Sequence, residues 1–217
     1  IRRVLMLQNT NLRLLSEVAD IRTGYTFREK VEEVEAETGS ARIAQIKDVR
    51  EIAEISNSFL LDPSKLPAID WQGKDKALVE SGTVILPSRG SRGGYFQASC
   101  VVDNSEDSLP LVVTSQFLVI TPTVEVLPEF LCWSLNQPSI QFLLSEGAGS
   151  QGSSMAVMLK TSIGNEIKLN IPSIETQKKI LHLNQLWEKE QALTQALLMN
   201  RKTMLQGMFQ QLLNENK

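Results

Sequence analysis

Residues 170–213 read NIPSIETQKKILHLNQLWEKEQALTQALLMNRKTMLQGMFQQLL, and from Ser173 onward they hold no proline and a single glycine, Gly207. A strand or loop closes at Pro172. Ser173 can cap a first helical turn through its hydroxyl, and Glu175 stands where a helix N-terminus favours negative charge. Apolar side chains then recur at Ile180, Leu183, Leu186, Trp187, Leu193, Leu197, Leu198, Met204, Leu205, Met208, Phe209 and Leu212. This is the three-and-four spacing of an amphipathic helix. At 1.5 Å per residue about forty residues span roughly 60 Å, more than the diameter of a domain of this size. The stripe therefore calls for a helical partner, and the polar interruptions Glu190, Asn200 and Arg201 would set its register, as buried polar positions do in coiled coils.

Working outward, 217 residues at 42% apolar content suffice for one domain with a sizeable core and an appended helix. The expected division is a globular domain over 1–172 and the long helix over 173–217. No run reaches the length and apolarity of a membrane span, residues 1–7 lack the features of a secretory signal, and cytoplasm is the expected compartment. The chain begins at Ile1 and not at Met, which reads as a trimmed chain or a piece of a longer one.

Cys100 and Cys132 sit in apolar contexts without CxxC spacing and read as buried free thiols. The single histidine, His182, lies near the start of the long helix and has no partners for a triad. The net charge of -3 is not that of a free-standing nucleic-acid binder, but the charge is segregated. No Lys or Arg occurs from Gly93 to Leu159, whereas SRGSRGG just before carries Arg89 and Arg92 without an acid.

The globular part reads as sheet-centred. Leu14–Ile21 (LLSEVADI) has the spacing of a short amphipathic helix capped by Ser16, and Glu29–Gly39 reads as an acidic surface loop. Ala41–Val49 reads as a strand, and Glu51–Ser58 as helix or loop. Thr83–Leu86 is an apolar strand after a Ser81-Gly82 turn, stopped by Pro87. Leu111–Thr121 is rich in β-branched residues and reads as one buried strand. Pro128 opens a helix, and the Gly- and Ser-rich run 147–154 is a loop.

Catalytic motifs are weak. Glu166-Ile167-Lys168 supplies half of a PD-(D/E)xK nuclease signature without its upstream acid, and GSRGG lacks the Walker pattern. Contact chemistry is better represented. Arg89 and Arg92, with Ser91 between them, can fork onto guanine edges or phosphate oxygens, or can be solvated residues of a hairpin turn. SQGSS with Lys160 downstream can line a backbone phosphate, or be a plain linker.

Four stretches, in order, resemble the DNA-specificity (S) subunits of type I restriction-modification systems. Leu15–Phe27 resembles the family's opening helix and Thr-Gly turn, Ala41–Val49 its first central strand, and SGTVILPSRG its Gly-Asp-Ile-Leu strand and basic turn. LPEFLCWSLN through NIPSIETQKKI resembles the closing helix, glycine loop and Pro-Pro-Leu-Glu-Glu-Gln lead-in to the family's long helix. Ser173 replaces the second proline, Thr176 the second glutamate, and Thr83 the aspartate. The usual family member has two recognition domains and two helical regions, and this chain has one of each.

The resemblance implies an α+β fold, a sheet-centred target-recognition domain followed by one long helix in an antiparallel coiled coil. It implies no catalytic group, cofactor or metal. The implied partners are double-stranded DNA, DNA adenine methyltransferase (modification) subunits, a restriction subunit through the complex, and a second copy of the chain. Arg89, Arg92, Ser91, Tyr25, Thr26 and Lys160 are the expected DNA contacts. Leu183, Leu186, Trp187, Leu193, Leu197, Leu198, Met204, Leu205 and Met208 are the expected pairing residues. The alternatives are a coiled-coil assembly scaffold that does not bind DNA, and a metal-dependent nuclease.

Overall fold

The computed structural model describes residues 11–56, 58–91, 94–102, 109–146 and 156–215. In chain order the elements are β1 (Leu12–Leu14), α1 (Leu15–Val18), β2 (Ala19–Thr23), β3 (Ala41–Ala44), α2 (Ile46–Ser56), β4 (Leu60–Leu61), β5 (Ala68–Ile69), β6 (Leu78–Val79) and β7 (Val84–Pro87). They continue with β8 (Arg89–Ser91), β9 (Ser99–Val101), β10 (Leu111–Val113), β11 (Phe117–Pro122), α3 (Pro128–Leu135), α4 (Pro138–Ser145), β12 (Ala156–Met158), β13 (Lys168–Asn170) and α5 (Ile174–Glu215). Two compact units result, Ile1–Gln177 and Lys178–Lys217. The architecture is α+β, a sheet-rich domain followed by a long helix.

The domain holds a five-stranded sheet in the order β2-β11-β7-β9-β4 and a four-stranded sheet in the order β5-β3-β10-β6. Side chains alternate across each strand, so the two faces of one strand enter different clusters. Leu111 and Val113 of β10 join Ile85, Val101, Phe117 and Val119 of the larger sheet in one core cluster. Val112, on the opposite face of β10, joins Ala41, Ile43 and Ile69 in a second cluster, onto which Tyr25, Phe27 and Trp71 pack. The helix α3 lies against β7, β9 and β11. With neighbours on both faces, the run Phe117–Ile120 is buried throughout.

Several elements differ from the sequence reading. Leu14–Ile21 is helical for one turn only, over Leu15–Val18, with Leu14 and not Ser16 at its N-cap position and the Leu14 N–H donating to the Glu17 carboxylate at 2.9 Å. Ala19–Thr23 is instead strand β2, paired antiparallel with β11 from Ala19↔Pro122 to Thr23↔Leu118, so sheet pairing overrides the local helical spacing. The expected strand Ala41–Val49 ends at Ala44, and helix α2 takes over Ile46–Ser56. Leu111–Thr121 is two strands in different sheets, broken where the Phe117 N–H donates to the Thr114 carbonyl at 3.0 Å. The Ser81-Gly82 turn is present, with Gly82 at φ 84°, a left-handed conformation that suits glycine.

Three side-chain amides tie segments together, those of Gln141 and Gln177 buried and that of Asn136 half-buried. Gln141 accepts from the Phe96 N–H at 2.8 Å and donates to the Phe96 and Leu135 carbonyls, each at 2.8 Å. Asn136 grips Ala98 in the same two-handed way, accepting at 2.9 Å and donating at 3.0 Å. Gln177, 0% exposed, accepts from the Leu127 N–H at 2.9 Å and donates to the carbonyls of Glu125 (2.9 Å) and Pro172 (2.8 Å). In the first turn of α5, the Thr176 N–H donates to the Ser173 hydroxyl at 3.4 Å, the cap expected of Ser173.

Cys100 and Cys132 are buried free thiols. Burial pushes Cys100 up to about 12 and Cys132 well above the ordinary thiol range. Both are expected to resist iodoacetamide at pH 8 in the folded chain and to react on unfolding, because the thiolate is the nucleophile. Mass spectrometry of the alkylated protein reads this, and rapid labelling of the native chain would contradict it.

The unit Lys178–Lys217 is a single helix with no second element of its own to cover its apolar residues. Leu183, Leu186, Trp187, Leu193, Leu197, Leu198, Met204, Leu205 and Met208 are each 46–66% exposed. No helix among the described residues is long and apolar enough to cross a membrane.

Candidate nucleic-acid interface

The strands β2 and β7 both run antiparallel to β11, so both end at the start of β11. Thr23 pairs with Leu118 and Pro87 with Phe117, which places their exits level, two strand spacings or about 10 Å apart. One exit leads through Gly24 into Tyr25 and Thr26. The other leads through Ser88 into Arg89. Ser88 is fixed by its N–H and its hydroxyl, both donating to the Gln116 carbonyl at 2.8 Å, and its own carbonyl accepts from the Leu159 N–H at 2.7 Å.

Beyond Ser88 the chain forms a two-stranded antiparallel ribbon, β8 with β12, in the register Ala156↔Ser91, Val157↔Gly90 and Met158↔Arg89. Its inner face holds buried Val157 and half-buried Gly90, and a Cβ at Gly90 would stand 2.5 Å from the ring of buried Phe96. Strand alternation then turns Arg89 and Ser91 to the other face, where both are exposed beside Met158 at 61%. Exposed Lys160 stands beyond Leu159, past the end of β12, and its carbonyl accepts the Ile163 N–H at 3.0 Å. Arg89 and Ser91 thus stand on the ribbon, and Lys160 follows at its base. Arg92 and the run 147–155, which contains SQGSS, lie outside the described residues.

The Tyr25 side of the sheet end is built differently. Tyr25, Phe27 and Trp71 form an edge-to-face cluster with ring centroids 5.0, 4.9 and 6.0 Å apart. Tyr25 is half-buried there, while Thr26 is exposed. A groove of about 600 Å³ runs beside them, lined by Arg22, Tyr25, Thr26, Gln72, Lys74 and Lys76 among others. Arg22 donates to the Leu78 carbonyl at 3.1 Å and so holds the 74–78 segment to β2. Exposed Lys74 and Lys76 escaped the sequence reading. The interleaving of aromatic, glycine and lysine in Trp71-Gln72-Gly73-Lys74-Asp75-Lys76 is the signal that could have found them.

A second groove, about 280 Å³, lies between α2 and the 95–99 segment and is lined by Arg50, Pro87, Tyr95 and Gln97. Tyr95 is 58% exposed, and partial burial raises its hydroxyl above the usual phenol range.

Glu166 and Lys168, the partial nuclease signature, are exposed on either side of buried Ile167, and Lys168 is spent in the β1–β13 ladder opposite Leu14. Among the described residues no group of three His, Cys, Asp or Glu side chains gathers where it could hold a metal ion. The chemistry on offer at the sheet end is that of cationic and hydroxyl donors, suited to phosphate oxygens and base edges.

No protein-family model and no curated protein matches the chain. Solved structures do. A chain from a structure that describes complex assembly and conformational transition of the type I R-M system superposes on 86% of this chain and 41% of its own length, with a TM-score of 0.55 at 16% identity. The crystal structure of the HsdS subunit from Thermoanaerobacter tengcongensis superposes on 86% of this chain and 40% of its own length, with a TM-score of 0.52 at 16% identity. The chain spans about two fifths of the length of these solved chains. The likeness establishes the fold, that of an HsdS specificity subunit.

Proposed function

We propose that this protein is a non-catalytic, sequence-specific DNA-recognition subunit of a type I restriction-modification system, which directs modification and restriction subunits to a bipartite site. The observation that carries this reading is the basic end of the five-stranded sheet in an HsdS-like fold. The β8–β12 ribbon presents Arg89 and Ser91 outward, exposed Lys160 follows at its base, and Thr26 with the groove of Lys74 and Lys76 lies at the neighbouring strand exit. The major groove of B-DNA admits a two-stranded ribbon, and an arginine on such a ribbon can donate two hydrogen bonds to a guanine. Lysines at either side then serve phosphates, which position the domain without reading sequence.

In this reading 1–172 is the target-recognition domain and 173–217 the spacer. Two copies of the chain pair through the apolar stripe of α5 as an antiparallel coiled coil and so hold two recognition domains at a fixed separation. A homodimer of this kind reads an inverted repeat, and DNA adenine methyltransferase subunits dock beside the paired helices.

The test is duplex binding as a function of salt, with and without modification subunits, together with light scattering on the eluted protein. About four phosphate contacts would give a log–log salt slope of roughly −3 to −4. Salt-insensitive binding in both arrangements would favour a coiled-coil assembly scaffold and overturn the DNA reading.

A further inference from the structure

The stripe of α5 carries two charges at its centre, Glu190 and Arg201. At about 100° per residue they fall within roughly 20° of the same line along the helix, about 16 Å apart. The residues that can reach a helical side chain are those three and four positions away. Around Arg201 all four are apolar, and around Glu190 the only polar one is Thr194. Neither charge has a counter-ion on its own helix, yet both sit in the face that calls for a partner.

The middle of the stripe, from Leu183 to Met208, also approaches a palindrome. About a point midway between Gln195 and Ala196, Leu193 mirrors Leu198, Glu190 mirrors Arg201 and Trp187 mirrors Met204, and the pattern continues outward to Leu183 and Met208. A two-fold axis through that point sets each residue beside its mirror mate on a second, antiparallel helix. Between Leu183 and Met208 the apolar residues of the stripe then meet apolar residues, except that Leu197 meets Thr194, and each glutamate meets an arginine. A parallel pair in register would set Glu190 against Glu190 and Arg201 against Arg201, like charge against like.

We infer that α5 pairs with a second copy of itself in one antiparallel register, locked by two reciprocal Glu190–Arg201 ion pairs placed symmetrically about an axis between Gln195 and Ala196. This inference rests on the homodimer reading above and adds the residues that select orientation and register.

Charge exchange in the full chain tests it. Glu190→Arg alone and Arg201→Glu alone each place like charges opposite one another twice, and each is expected to weaken self-association by roughly a hundredfold. An equimolar mixture of the two is expected to recover a dimer, now a heterodimer, because one chain is positive and the other negative at both positions. The doubly exchanged E190R/R201E chain is expected to self-associate like the parent. Nitroxide labels supply a second measurement. A label at Gln210→Cys should lie roughly 40 Å or more from its copy, and one at Ala196→Cys far closer, whereas parallel helices give similar short separations at both.

A monomeric parent at micromolar concentration would overturn the homodimer reading and this register together. A dimeric parent whose single variants associate as tightly as it does, or whose Gln210 labels lie as close as those at Ala196, would overturn the register alone.

Discussion

Gln177→Leu is expected to destabilise the domain by about 3 kcal/mol, because three partly buried backbone groups would each lose the partner that the buried amide supplies, at about 1 kcal/mol apiece. The groups are the Leu127 N–H and the carbonyls of Glu125 and Pro172, all within 2.9 Å of the Gln177 amide. Leucine has similar bulk, so the loss is one of polar satisfaction and not of volume. In a chain of this size about 3 kcal/mol corresponds to roughly 10 °C in Tm. Gln177→Glu discriminates further, since it keeps the acceptor for Leu127 but turns the two donor positions into a charge facing carbonyls. Thr176→Ala, at the neighbouring exposed position, should cost far less. Differential scanning calorimetry of the three variants reads the order, and a Gln177→Leu melting point within a degree or two of the parent would refute the account. The amide stands at the Gln of the Pro-Pro-Leu-Glu-Glu-Gln pattern, which gives that position a physical reason: it fastens the first turn of α5 to the 125–127 segment.

The second large effect is expected in DNA binding. Removing Arg89 together with Arg92 should raise Kd at least about thirtyfold if both read base edges at about 1–3 kcal/mol each. Preference should relax at the positions they read. If they hold phosphates instead, every sequence is weakened alike and the salt slope falls by about two. Fluorescence anisotropy against a specific and a scrambled duplex separates the two outcomes. A double variant that binds and directs methylation like the parent would remove the ribbon from the interface. Gly90 lies against Phe96, and strand alternation turns Arg89 outward.

How much of this could be read in advance depended on the range of the interactions involved. The helix α5 was legible because its cap, Ser173 with Thr176, and its stripe are local features. The break between β10 and β11 was not, because the turn at Thr114–Phe117 uses Ser115 and Gln116, with neither glycine nor proline to mark it. Leu15, Val18 and Ala19 have the spacing of a helix, yet the partner that makes Ala19–Thr23 a strand lies about a hundred residues away in β11. The same holds for the site. Arg89 and Ser91 announce themselves two apart on a glycine-rich stretch, whereas Lys74 and Lys76 acquire meaning only when the 74–78 segment is held against β2 by Arg22. Asn136, Gln141 and Gln177 looked like ordinary polar residues because their partners lie 38, 45 and about 50 residues distant.

The grip of Asn136 and Gln141 on the 96–98 segment falls on main-chain nitrogen and oxygen alone. Such staples are indifferent to the side chains that the stapled strand displays. Gln97, which lines the groove beside Pro87, can therefore be rewritten while its mounting stays put, whereas Tyr95 also donates its hydroxyl to Asn136 at 3.4 Å. A scaffold fastened in this manner lets new lettering be tried on an unchanged frame, by mutation in nature or by grafting at the bench.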